Sequence, residues 1–133
     1  MLVSVSALAK PLSYYFEEDV KFDPTIPTPE QVLGYEVGEW HVRHDQLVQY
    51  MQILAEKSNR MNFKVIGRTH EQRPLVMLTI TAPEKLGQVE QIRKAHLARL
   101  NGGTSDSSKQ PAVVWMGYSV HGNESSGSNA SLL

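Results

Sequence analysis

The chain of 133 residues contains no cysteine. Disulfides and thiolate metal ligands are therefore excluded, and any metal site must use imidazole or oxygen donors. The absence is compatible with either redox compartment. Long apolar runs are also missing: none approaches the eighteen or more residues of a membrane span. Charge of one sign is not in excess, with 13 Lys and Arg against 14 Asp and Glu, a formal net charge of −1 and a pI near 6.5. Without a basic patch, nucleic acid is not an expected partner. There is no internal repeat. What remains, 41% hydrophobic and 20% charged, is the composition of a chain that builds a globular core.

Local patterns give a coarse order of elements. Residues 1–34 read as an N-terminal extension, and Ala7-x-Ala9 resembles the tail of a secretory leader. A basic n-region is lacking and the apolar part is too short for a complete leader, so a frayed terminus explains residues 1–9 equally well. Pro24, Pro27 and Pro29 set extended or turn conformations. Thr28 to Gly34 has the marks of a short helix: Thr28 as cap, Pro29 at the first position, Glu30 at the positive end and Gly34 as terminator. From 44 to 57, Leu47, Tyr50, Met51, Leu54 and Ala55 share one helical face, with Asp45 near the cap. That stripe reads as core rather than as a cofactor site. Strands are expected at 63–69 and 74–81, joined through His70–Pro74 as an antiparallel hairpin. The second is so continuously apolar that it should be covered on both faces. A single helix is expected over about 86–100, with His96 on its flank, and then a polar surface loop from Asn101 to Gln110.

The last stretch carries the chemistry. Ala112-Val-Val-Trp-Met-Gly-Tyr-Ser-Val is apolar and β-branched, and it ends at His121, with Glu124 three residues on. Residues 112–118 read as a buried strand that joins the hairpin's sheet, parallel to a neighbour through the helical crossover, with a helix opening near Ser125. Imidazole and carboxylate are both good zinc ligands, and the carboxyl end of a strand faces the crevice where open α/β sheets bind ligands. His-x-x-Glu alone is weakly specific and arises by chance in about one chain in three of this composition. A plainer account is a Gly122-Asn123 turn, a Glu124 favoured at the helix's positive end and a loop histidine. Spacing and context leave both open.

Three blocks carry a resemblance. Val113 to Gly127, with Val-His121-Gly-Asn-Glu124 at its centre, resembles the first zinc-ligand segment of the zinc carboxypeptidases of the carboxypeptidase A class. Val65-Ile-Gly-Arg-Thr-His-Glu-Gln-Arg-Pro-Leu75 is similar to an upstream hairpin of that family, typically Ile-Gly-x-Ser/Thr-x-Glu-Gly-Arg-Pro-Leu. His44-Asp-Gln-Leu-Val-Gln-Tyr-Met-Gln-Ile-Leu-Ala resembles the helix before it. The blocks run in family order over about 35–133, which is read as the N-terminal part of a catalytic domain. Gln72 departs from the pattern by standing where the family usually has Gly, at a turn where positive φ costs Gln more than Gly.

The resemblance implies an α/β fold, part of a mixed-sheet sandwich broken off after the first metal-ligand segment. The helix that starts near Ser125 and reaches Leu133 without a cap agrees with that break. It further implies Zn²⁺ held by His121 and Glu124, peptide or protein C-termini as substrate, and a secreted or periplasmic setting. A catalytic zinc needs three protein ligands and an open position. The family's third ligand, its carboxylate-binding arginines, its pocket tyrosine and its glutamate base match no position here, so the 133 residues alone should be inactive. His41, His44 and His70 could in principle complete the ligand set, but the resemblance places their segments away from the metal. Two alternatives stand beside this: aspartoacylase- or succinylglutamate-desuccinylase-type amidohydrolases, which share a strand leading into His-Gly-Asn-Glu, and a metal-free interaction module on the same fold. The hairpin and its preceding helix favour the peptidase, and the retained His121 and Glu124 speak against the metal-free module.

Overall fold

In the computed structural model, residues 9–103 and 110–133 are described, so most of the 1–9 segment and the tip of the 101–110 loop lie outside the description. The elements are a 3-10 turn (Leu12–Tyr15), α1 (Pro29–Leu33), α2 (His44–Lys57), β1 (Met61–Arg68), β2 (Pro74–Ile80), α3 (Pro83–Leu86), α4 (Val89–Leu100) and α5 (Ser125–Ala130). They fall into two compact units, one formed by 1–58 with 117–133 and the other by 59–116.

The first unit is helical. In α1 the Thr28 hydroxyl accepts from the Gln31 N–H, while the Gln31 side chain accepts from the Thr28 N–H, a reciprocal cap. Pro29 starts the helix and Gly34 ends it at φ 82°, the left-handed conformation glycine takes without steric cost. At the start of α2, the Gln46 side-chain Oε1 accepts from the Arg43 N–H at 3.2 Å, and the Arg43 guanidinium forks onto Asp45 through two bonds of 3.1 and 2.9 Å. The apolar stripe of α2 faces a small core of Val37, Tyr50 and Leu132, flanked by Val32, Leu33, Val42, Leu47 and Leu54. The Tyr50 hydroxyl donates to the Pro27 carbonyl at 3.2 Å, which satisfies the polar end of a side chain only 4% exposed. Leu132 brings the chain that follows α5 into this core.

The second unit holds the sheet, an antiparallel pair running from Met61↔Ile80 to Arg68↔Pro74, with one register shift between Val65 and Gly67. That shift leaves Ile66 as the extra residue of a bulge. The expected hairpin is therefore present. Thr69 accepts from the Gln72 N–H and donates its own N–H to the Arg73 carbonyl, both at 2.9 Å, and Gln72 lies at φ 64°. This is a tight turn followed by a left-handed residue, the position glycine normally fills. Arg68 steadies it by donating to the Gln72 carbonyl at 2.8 Å. Left-handed φ costs a non-glycine residue about 1–2 kcal/mol, part of which glycine loses again through its greater unfolded freedom. Gln72→Gly should therefore stabilise the hairpin unit by about 0.5–1 kcal/mol, with the backbone bond from Arg68 retained. Gln72→Val should destabilise it. Thermal unfolding checks both, and a less stable Gln72→Gly would contradict the account.

Three expectations need correction. The helix foreseen at 86–100 is two helices, α3 and α4, separated at Gly87 and Gln88, where the Gln88 N–H turns back to the Lys85 carbonyl. Glycine's poor helix propensity inside a single span accounts for the break. β2 is not covered on both faces: Leu75 and Ile80 are exposed, and no residue of the strand is buried. Residues 112–118 are not a strand. They have no regular structure, and Val113, Val114, Trp115 and Met116 are 60–78% exposed. A strand of that composition needs a ladder partner and covering layers, and among the described residues β1 and β2 pair only with each other. The architecture is mixed α and β with a two-stranded antiparallel sheet.

Candidate metal centre

Both site residues belong to the helical unit. Because 112–118 is irregular, His121 does not stand at the carboxyl end of a strand; it opens a turn. The Glu124 N–H donates to the His121 carbonyl at 3.0 Å, and Gly122 and Asn123 form the turn between. Glu124 then takes the N-cap position of α5 but makes no side-chain cap bond. Its carboxylate goes instead to the imidazole, with Oε1 3.0 Å from Nδ1 of His121. The plain turn account thus describes the backbone correctly, and the two side chains meet in a hydrogen bond.

The two side chains are 68% and 58% exposed, so their direct contact is well solvated and contributes little by itself. A nitrogen and an oxygen that share a tetrahedral zinc at about 2.1 Å lie about 3.4 Å apart. The observed 3.0 Å is close to that bite. The donor set, one imidazole and one carboxylate, fits zinc. It is incomplete: among the described residues no group of three His, Cys, Asp or Glu side chains comes together.

Among the described residues, the other four histidines make no metal cluster with the pair. His41 is exposed in the irregular segment before α2, His44 begins α2, His70 sits in the hairpin turn, and Nδ1 of His96 accepts from Arg99 at 3.1 Å on α4, a helix-flank role.

A profile of the family described as zinc carboxypeptidase matches residues 47–133, nearly two thirds of the chain, and takes in the helix, the hairpin and the His121–Glu124 segment. The chain belongs to the zinc carboxypeptidase family. No curated protein and no solved structure matches it.

Within this member of the family, sequence reasoning missed the residues that hold the site loop. Asn129, on α5, accepts from the Val42 N–H through Oδ1 at 3.0 Å and donates through Nδ2 to the Trp40 carbonyl at 3.2 Å. Gly127 approaches Ser119 so closely that a Cβ there would lie 3.1 Å from the Ser119 nitrogen, and Ser119 itself has φ 58°. The available signal was an asparagine and a glycine, both poor helix formers, inside a six-residue helix.

Proposed function

We propose that His121 and Glu124 are two of the ligands of a catalytic zinc, and that this chain is the ligand-bearing N-terminal part of a metallocarboxypeptidase acting on peptide or protein C-termini. The observation that carries this is the convergence of Nδ1 and Oε1 on one point, in a segment inside the family match. The mixed-sheet sandwich and the secreted or periplasmic setting belong to the same proposal.

Zinc, when bound, polarises a scissile carbonyl and brings the pKa of its water to about 7. The chain's own contribution is to present the two donors. The 121–124 turn brings the histidine and the carboxylate onto one side of the loop. Glu124 stands at the N-cap position of α5, and its carboxylate turns to the imidazole rather than to the helix backbone.

Zinc titration followed through the imidazole nitrogen resonances of the histidines tests the assignment. His121 should shift first, and His121→Ala or Glu124→Ala should weaken binding at least tenfold, with Tyr50 still buried by near-UV dichroism. Zinc that shifts His41 or His70 and leaves His121 unmoved would overturn it.

A further inference from the structure

We propose that Asn129 is a positioning residue for the His121–Glu124 pair, clamping the ligand loop to the segment that leads into α2, with Gly127 as the closure of that loop; this rests on the assignment of the pair as zinc ligands.

The ligand pair sits at an exposed crest, and nothing in its own side chains fixes it. Three features on either side do. Ser119, two residues before His121, is held in a left-handed conformation, and its backbone lies against Gly127. Asn129 spends both ends of its amide on main-chain groups 87 and 89 positions away. Leu132 then enters the buried core beside Tyr50. Residues 119–127 therefore form a short closed loop whose downstream end is tied to the 40–42 segment.

An asparagine is a poor choice inside a helix, because its side chain competes for backbone groups. Here the competition is turned outward. The Val42 N–H and the Trp40 carbonyl take the place of α5's own backbone, and one planar amide satisfies a donor and an acceptor at once. Such a contact fixes both the distance and the rotation of α5 relative to residues 40–42. Glu124 stands at the N-cap position of that same helix, so the placement of its backbone, from which the carboxylate reaches the imidazole, follows the clamp. His121 follows through the Glu124 N–H bond to its carbonyl.

The test uses the nitrogen-15-labelled 133-residue chain with and without zinc. Without metal, Asn129→Ala should speed exchange of the Glu124 amide severalfold and move the His121 imidazole resonances. With metal, its zinc affinity should fall about tenfold, the size usual for residues that orient metal ligands. Asn129→Asp keeps the acceptor for the Val42 N–H and loses the donor to Trp40, so it should fall between the two. Gly127→Ala is the second variant, and it stays informative if Asn129→Ala does not fold. Alanine is the better helix former, so a merely structural α5 would be strengthened by it, whereas here zinc should bind more weakly because Ser119 is pushed away. Unchanged Glu124 exchange in both folded variants would overturn the positioning role even if zinc binds normally. Zinc that leaves wild-type His121 unshifted would overturn the metal assignment, and the metal-free exchange comparison would still decide the positioning role.

Discussion

Tyr50→Ala should unfold the helical unit at neutral pH. Among the described residues the core there has three buried side chains, Val37, Tyr50 and Leu132, and Tyr50 is the largest. Truncating a buried aromatic residue removes about 3–5 kcal/mol, which matches the roughly 3–5 kcal/mol that a core this small supplies. Loss of α2 helicity by far-UV dichroism, with the exposed α5 segment open to protease, is the expected result. A folded Tyr50→Ala chain with a cooperative melt would show that the core is larger than these three residues. Tyr50→Phe separates the ring from its hydroxyl. It removes the bond to the Pro27 carbonyl, worth about 1 kcal/mol, and keeps the packing. Burial pushes the Tyr50 phenol up from 10.0 to about 12. The folded state therefore keeps its proton where the unfolded chain has lost it. The stability tied to that proton is complete below pH 10 and is lost as pH rises from about 10 through about 12. The difference amounts to about 3 kcal/mol. Wild-type stability should fall steeply over that window, and the Tyr50→Phe curve should be flatter there. Parallel curves would contradict the assignment.

The parts of this molecule that were legible in the sequence are those decided by neighbours a few residues away. The α2 stripe appears at His44–Lys57 as expected, because Leu47, Tyr50 and Leu54 carry their period whatever lies beyond them. The α1 cap and stop follow from Thr28, Gln31 and Gly34 alone. The hairpin joins its strands through a five-residue turn, and the Gln72 substitution pointed to a left-handed position that the structure contains. Residues 112–118 failed for the opposite reason. Val113, Val114 and Trp115 prefer strand, but a strand exists only where another backbone completes its ladder, and that partner is not encoded in the segment. For the proposed site, His121 and Glu124 were singled out by the segment around them and its family resemblance, because their three-residue spacing alone is weakly specific. Asn129 was not, since its partners Trp40 and Val42 are 89 and 87 positions distant and amide clamps leave no periodic signature.

Supplied with zinc, the 133-residue chain should release no C-terminal residue from any peptide above the rate of zinc in buffer. Two donors converge where a catalytic zinc takes three, and no further His, Cys, Asp or Glu joins them among the described residues. Glu124 is engaged with the imidazole through Oε1 and, as a proposed ligand, would not be the base that takes the proton of an attacking water. Lack of a general base by itself lowers a rate by about 10²–10⁴. A substrate carboxylate with no clamp loses the orientation that contributes most of the remainder, up to about 7–11 kcal/mol in well-positioned reactions. These losses multiply, because each acts on a different part of the barrier, and together they exceed any advantage of a weakly held ion. Mass spectrometry of a panel of C-terminally free peptides, incubated with chain and zinc and with chain and chelator, reads the outcome directly. The His121→Ala chain is the control. Chelator-sensitive release by wild type that His121→Ala abolishes would place a base and a substrate clamp within these residues.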